Sequence, residues 1–295
     1  MSATQLRTTS VPAEADQRPR DDELDLFGLT HTGKVRRENQ DQFLLCTVHP
    51  QVVIHGTSLP SPDTLPLRGD RLATVMMVAD GVASGGGGAE ASRLTVEAVT
   101  RYVSETLRCY HTAGSAADDH FFNALKTAVF EAHAKVKAEA ESHPEVRHMA
   151  TTLTLVIGVW PYMYTVQVGD SRFYYCFEGK LRQVTRDQTM AQELVDRGAL
   201  PPERAAASPF SHILVSSIGG EETSPEVSRI EVRPGGVLLL CSDGLTKHVS
   251  DDEITAEIGR VKSSEQLCHC LLDLALERGG TDNITVLVAR RRSTT

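Results

Sequence analysis

LTLVIGVWPYMYTVQVGDSRFYYCFEGKLRQV, residues 153–184, is the stretch on which the fold class turns. It holds four segments that read as strands, Leu153–Val159, Tyr162–Val168, Phe173–Phe177 and Leu181–Val184, separated by a few residues each. Connections that short join antiparallel neighbours, so the segment predicts an antiparallel meander. Upstream, Leu72–Ala79 (LATVMMVA) is a continuous apolar run and predicts a central strand buried on both faces. Leu24–Thr30 and Gln42–Val48 predict strands joined by the polar turn Thr32–Asn39, with Gln51–Ile54 extending that hairpin. Between these strands and the meander lie two helical segments, Ala89–Leu107 and His120–Glu141. In the second, Phe121, Leu125, Ala128, Val129 and Ala132 recur at helical spacing. Downstream, Met190–Gly198 predicts a short helix and Pro201–Phe210 an irregular segment. Val227–Val232, Val237–Cys241 and Asn283–Ala289 predict strands, and Asp251–Val261 and Ser264–Glu277 helices. Strands and helices are grouped rather than alternating, which gives an α+β class.

Composition narrows the function. The chain has 295 residues, 40% hydrophobic and 23% charged, with a formal net charge of −9. That balance disfavours a nucleic-acid partner. No apolar run approaches the roughly 20 residues that span a bilayer, so no membrane association is expected. Residues 1–24 read as a disordered N-terminal tail without a secretory apolar region, and 25–292 as a single domain acting as a monomer. The six cysteines form neither a C-x-x-C pair nor a dense disulfide framework, which fits a reducing, cytoplasmic location. Cys268-His269-Cys270 is the one suspicious cluster, and on a helix its members fan around the axis.

The informative recurrence is acidic. Apolar strands run into Asp80, Asp170 and Asp243, the Gly279–Asn283 turn carries Asp282 into the last strand, and Asp41 opens another. Each alone is an ordinary turn residue. Gathered at one end of a sheet system, they could not all stay ionised without cations. Hard carboxylate oxygens suit Mg²⁺ or Mn²⁺, and a pair of such ions activates water against a phosphoryl group. Gly81 and Gly244 each follow an Asp and permit close backbone approach. Arg36 has the chemistry to hold a phosphate through paired hydrogen bonds, or to stand as a solvated turn residue.

With these residues in place, the sequence resembles the metal-dependent type 2C Ser/Thr protein phosphatases, the PPM family, in compact bacterial form. Gly33-x-Val35-Arg36-x-x-Asn39-x-Asp41, Val78-Ala79-Asp80-Gly81, Ala150-Thr151-Thr152 and Val168-Gly169-Asp170-Ser171-Arg172 follow the family's order. So do Leu181–Asp187, Ser242-Asp243-Gly244-Leu245 and Asp282-Asn283-Ile284-Thr285. The resemblance implies a four-layer α-β-β-α sandwich, two antiparallel sheets flanked by helices. It implies Mn²⁺ or Mg²⁺, two ions with a labile third. Asp80, the Gly81 carbonyl, Asp243 and Asp282 would hold the two, and Asp170 with Asp243 the third. Metal-activated water would attack a phosphoserine or phosphothreonine protein directly, with no phospho-enzyme. Asp41 would orient that water and Arg36 would clamp the phosphate. Gln40 and Asn283 would stand behind the ions, and a flap at about 190–220, with Ala191, Ser211 and His212, would influence substrate choice. The expected partner system is a Ser/Thr kinase pathway.

The sequence departs from the family pattern in four places. Gln40 replaces a Glu, the glycine loop Gly81–Gly88 lacks a His, Gln188 replaces another His, and the flap lacks the usual basic and Asn residues near Ser211–Ser217. No direct ligand is missing, which favours an active enzyme. The alternative is a weak or inactive pseudophosphatase that binds phosphopeptides or a kinase.

Overall fold

A computed structural model describes residues 18–51, 53–54, 67–82, 87–113, 118–143 and 148–292. Most of the tail expected at 1–24, and residues 83–86 of the glycine loop, lie outside them. In chain order the elements are β1 (Leu24–His31), β2 (Asp41–Val48), β3 (Ala73–Val82), α1 (Gly88–Ala113), α2 (Asp118–Ser142), β4 (Ala150–Thr151), β5 (Leu153–Val159) and β6 (Tyr162–Val168). There follow β7 (Arg172–Phe177), β8 (Lys180–Gln183), α3 (Met190–Asp196), β9 (Glu226–Glu231), β10 (Val237–Cys241), α4 (Asp243–Thr246), α5 (Asp251–Arg260), α6 (Ser264–Glu277) and β11 (Ile284–Arg291).

The strands form two antiparallel sheets. One has the order β1-β11-β10-β7-β8; the other has β2-β3-β5-β6-β9, with β4 on β3. Period-two alternation explains the layering. In β11, Ile284, Val286 and Val288 face the helices while Leu287 and Ala289 face the opposite sheet. In β3, Val75 and Met77 pack toward α1 and α2 while Met76 and Val78 enter the space between the sheets. The result is the expected four-layer α-β-β-α sandwich, with α1 and α2 outside one sheet and α4–α6 outside the other. Leu287 is fully buried between the sheets. Leu287→Ala is therefore expected to cost about 2–5 kcal/mol of stability, measured by urea denaturation.

Three expectations need correction. The meander is not one sheet: β5 and β6 pair in one, β7 and β8 in the other. The chain changes sheets through Gly169, whose φ of +96° turns the backbone sharply. Likewise β1 and β2 are no hairpin. β1 pairs with β11 and β2 with β3, so the turn Thr32–Asn39 also crosses between sheets. Gln51 makes an isolated bridge to Arg68, Val52 lies outside the described residues, and Val53 and Ile54 belong to no strand, so the described residues show no extension. Short connections said "adjacent", but burial of both apolar faces was better served by strands facing each other across the core than by strands side by side.

Residues 18–24 are also more than a tail. A short 3₁₀ turn at Asp21–Glu23 leads into β1, and the buried Arg71 guanidinium donates to Asp21 and to the Pro19 carbonyl. The Cys268 cluster fans out as its helical spacing requires. Cys268 faces the Phe27 and Val286 carbonyls, His269 lies against the Phe27 ring, and Cys270 meets Arg260.

Candidate active site

The crossings at Thr32–Asn39 and Gly169 fall at one end of the sandwich, and there the acidic residues meet. Asp41 opens β2 directly opposite Asp80 of β3. Asp170 lies in the β6–β7 crossing, Asp243 begins α4, and Asp282 immediately precedes Asn283 and β11. A basin of about 320 Å³ is lined by Arg36, Gln40, Asp80, Gly81, Asp170, His212, Asp243, Asp282 and Asn283. Asp41 lies just beneath it, buried. A second groove, about 280 Å³, shares Asp170, Asp243, Lys247 and His212 with the basin and continues past Ala191 and Ser211.

Hydrogen bonds fix the segments that carry these side chains. The buried Asn283 donates from Nδ2 to the Thr32 and Glu38 carbonyls, and its Oδ1 accepts from the Gln40 backbone N–H. The last motif thereby holds the first. The Thr152 hydroxyl accepts from the Asp80 N–H, and the Thr151 hydroxyl donates to the Asp80 carbonyl. Arg172 reaches Asp187 with a two-pronged contact, Nε to Oδ1 at 3.0 Å and Nη2 to Oδ2 at 2.7 Å, and so braces the turn after Asp170. Gln188 accepts from the Gly169 N–H and donates to the Ser224 carbonyl, which ties that turn to the far side of the flap. The flap stem is stitched by Met190 N–H to Ile213 and Ala191 N–H to Phe210.

The two glycines serve a purpose beyond the expected one. A Cβ on Gly244 would lie 1.9 Å from the Asn283 carbonyl oxygen, and one on Gly81 would lie 2.4 Å from the Gly88 carbonyl. They let the motif-bearing backbones touch each other.

The electrostatics show a site short of positive charge. Burial, followed by the charges of Asp41, Asp243, Asp170 and Asp282, pushes Asp80 well above the usual carboxylate range. Burial, then Asp243 and Asp187, does the same to Asp170. Asp41 is pushed up to about 6, mainly by burial, although the Thr285 and Ser242 hydroxyls donate to its Oδ2 at 2.6 and 2.7 Å. Asp41 Oδ1 and Asp243 Oδ1 are buried and have no hydrogen-bond partner among the described residues. Asp282 goes the other way. Burial alone would raise it, but hydrogen bonds from Arg36 and Lys247 hold it below the ordinary value.

Arg36 Nε stands 2.7 Å from Asp282 Oδ1, and Lys247 Nζ 2.6 Å from both Asp243 Oδ2 and Asp282 Oδ2. No three acidic, imidazole or thiol groups among the described residues are disposed to hold an ion as they stand. The chemistry of the donor set nonetheless fits hard divalent cations. It is all oxygen, over-negative, and leaves two buried carboxylate oxygens without partners.

The structure thus brings all the sequence-singled acidic residues, Gly81, Gln40, Asn283 and Arg36 to one basin or its floor, and Ala191, Ser211 and His212 to the adjoining groove. Lys247, Ser242 and Thr285 were missed as site residues. The signal for Lys247 was present: it follows Asp243 by four positions, one helical turn. Ser242 and Thr285 carry only ordinary hydroxyls, and nothing in the sequence says that both meet Asp41.

Residues 56–273 match the family model described as Protein phosphatase 2C, and the chain belongs to that family. It is 33% identical over 217 residues to the serine/threonine protein phosphatase PstP of Mycobacterium tuberculosis, a match covering 74% of this chain and 40% of that relative's length. To the serine/threonine phosphatase stp of Listeria monocytogenes it is 27% identical over 263 residues, 89% of this chain and 94% of the relative. Its structure superposes on the catalytic domain of PstP in complex with two manganese ions with a TM-score of 0.67 and 28% identity. That superposition covers 92% of this chain and 99% of the other.

Proposed function

We propose that this chain hydrolyses phosphoserine and phosphothreonine monoesters on proteins, opposing a Ser/Thr kinase. We place it in the cytoplasm as a monomer, with residues 25–292 as the catalytic domain. The observation that carries this reading is the convergence of Asp80, Asp170, Asp243 and Asp282, from four separate segments, on one basin rimmed by Arg36, with Asp41 paired directly opposite Asp80. Asp80, the Gly81 carbonyl, Asp243 and Asp282 are the residues suited to hold two Mn²⁺ or Mg²⁺ ions, with Asp170 and Asp243 suited to a third. Bound ions supply charge neutralisation and Lewis acidity toward water and phosphoryl oxygen.

The chain's own groups supply the rest. Arg36 is half-exposed at the rim, where its guanidinium is suited to donating paired hydrogen bonds to phosphate oxygens. Asp41 is oriented by the two hydroxyls that donate to Oδ2, which leaves Oδ1 to accept a proton from water. The groove past Ala191, Ser211 and His212 receives the residues flanking the phosphorylated side chain.

The test is release of phosphate from an aryl phosphate and from a phosphothreonine peptide. Turnover is expected with Mn²⁺ and should vanish in EDTA. Turnover indifferent to chelation, or none under either condition, would overturn the reading.

A further inference from the structure

Lys247 has no role in the function proposed above, yet it occupies the most contested position in the basin. It caps α4, its backbone N–H donating to the Asp243 carbonyl at 2.9 Å, which fixes where its side chain starts. Its Nζ then sits between two carboxylates that come from segments far apart in the chain, 2.6 Å from Asp243 Oδ2 and 2.6 Å from Asp282 Oδ2. Arg36 engages both oxygens of Asp282 as well. Among the described residues Asp80 and Asp170 make no comparable ion pair, and Asp243 Oδ1 has no hydrogen-bond partner. The protein's own cations are therefore concentrated on one side of the basin.

We propose that Lys247 is a built-in counter-ion that competes with a divalent cation for the Asp243–Asp282 pair, so that the metal positions of the basin load unequally. The inference rests on the metal-dependent reading above and adds to it a residue that sets metal affinity. An ammonium and a divalent ion held at contact distance by the same two oxygens would lie within a few ångströms of each other and repel. Binding there works against two charge-assisted hydrogen bonds, whereas binding beside Asp80 disturbs none made by Lys247. In the metal-free protein the same lysine joins α4 to the start of β11 and screens two carboxylates that would otherwise repel.

The experiment is calorimetric titration of the intact chain with Mn²⁺, with thermal melting in EDTA and in saturating Mn²⁺, for wild type, Lys247→Met and Lys247→Arg. Wild type is expected to show a tighter and a weaker class of Mn²⁺. In Lys247→Met the weaker class should tighten by about tenfold or more, the modest end of what one charge a few ångströms from a divalent ion is worth when partly screened. Lys247→Arg, which keeps the charge, should retain the wild-type weakness. Lys247→Met should melt below wild type in EDTA and above it in Mn²⁺, a reversal that loss of a merely structural contact does not produce. Unchanged weak-class affinity in Lys247→Met, or a lower melting temperature in both conditions, overturns the role of Lys247 and leaves the metal reading standing. No Mn²⁺ binding by any of the three proteins overturns both. Should Lys247→Met fail to fold, the ammonium resonance of Lys247 in the wild-type protein decides: it must move on titration with Mg²⁺, and a fixed resonance overturns the proposal.

Discussion

Asp80→Asn is expected to slow hydrolysis of a phosphothreonine peptide by at least about 10³-fold, or ~4 kcal/mol of transition-state stabilisation, with the fold intact. Asp80 faces four other carboxylates: the charges of Asp41, Asp243, Asp170 and Asp282 all bear on it. A cation that relieves this crowding gains from Asp80 most directly, and an amide there withdraws that gain. The fold should survive because the contacts that anchor this position are made by its backbone. The N–H donates to Thr152 Oγ1, and the carbonyl accepts from Thr151 Oγ1 and the Thr152 N–H. Single-turnover kinetics beside a circular dichroism melt separates the two effects. A folded variant that keeps a tenth of the wild-type rate would remove Asp80 from the reaction.

Asp41→Asn should reverse the usual relation between a mutation and stability. At pH 7.5 in EDTA the wild-type protein must keep this buried carboxylate charged against a value raised from 3.8 to about 6. An uncharged asparagine removes that penalty, about 1–3 kcal/mol, which corresponds to a melting temperature higher by roughly 3–10 °C. Its amide oxygen can take the Ser242 and Thr285 hydroxyls, and its NH₂ can fill the position of the unpartnered Oδ1. The sign follows from proton linkage. The folded state binds the Asp41 proton more tightly than the unfolded chain, so this residue's contribution falls as pH rises from about 4 to about 6 and stays unfavourable above. Asp80 and Asp170, also raised, act in the same direction. The advantage of the variant should therefore shrink as pH falls below about 6 and be absent near pH 4. The same variant should lose turnover, because an amide cannot accept a proton from water at neutral pH. Calorimetric melts in EDTA between pH 4 and 8 test the stability claim, and equal melting temperatures at pH 7.5 would refute it.

The acidic recurrence, the Arg36 motif and the apolar periodicities were legible in the sequence because each is local. An Asp at the end of a buried strand, or a run such as LATVMMVA, reads correctly without its neighbours. From them alone follow the α+β class, nearly every strand and helix, and the acidic residues gathered at the basin, whereas Gln40, Asn283 and His212 came only with the family resemblance. Which sheet each strand joins did not follow. Turn length alone cannot distinguish a hairpin from a crossing between facing sheets, and the crossings at Thr32–Asn39 and Gly169 are what carry Asp41 and Asp170 to a common end. The partners of each charge were equally beyond the sequence. Lys247 bridges residues 39 positions apart in the Asp243–Asp282 pair, and Thr285 reaches Asp41 across 244 positions. Such contacts exist only after two sheets have packed face to face, because burial between them, rather than any local preference of the chain, sets the distances on which the site's electrostatics depend.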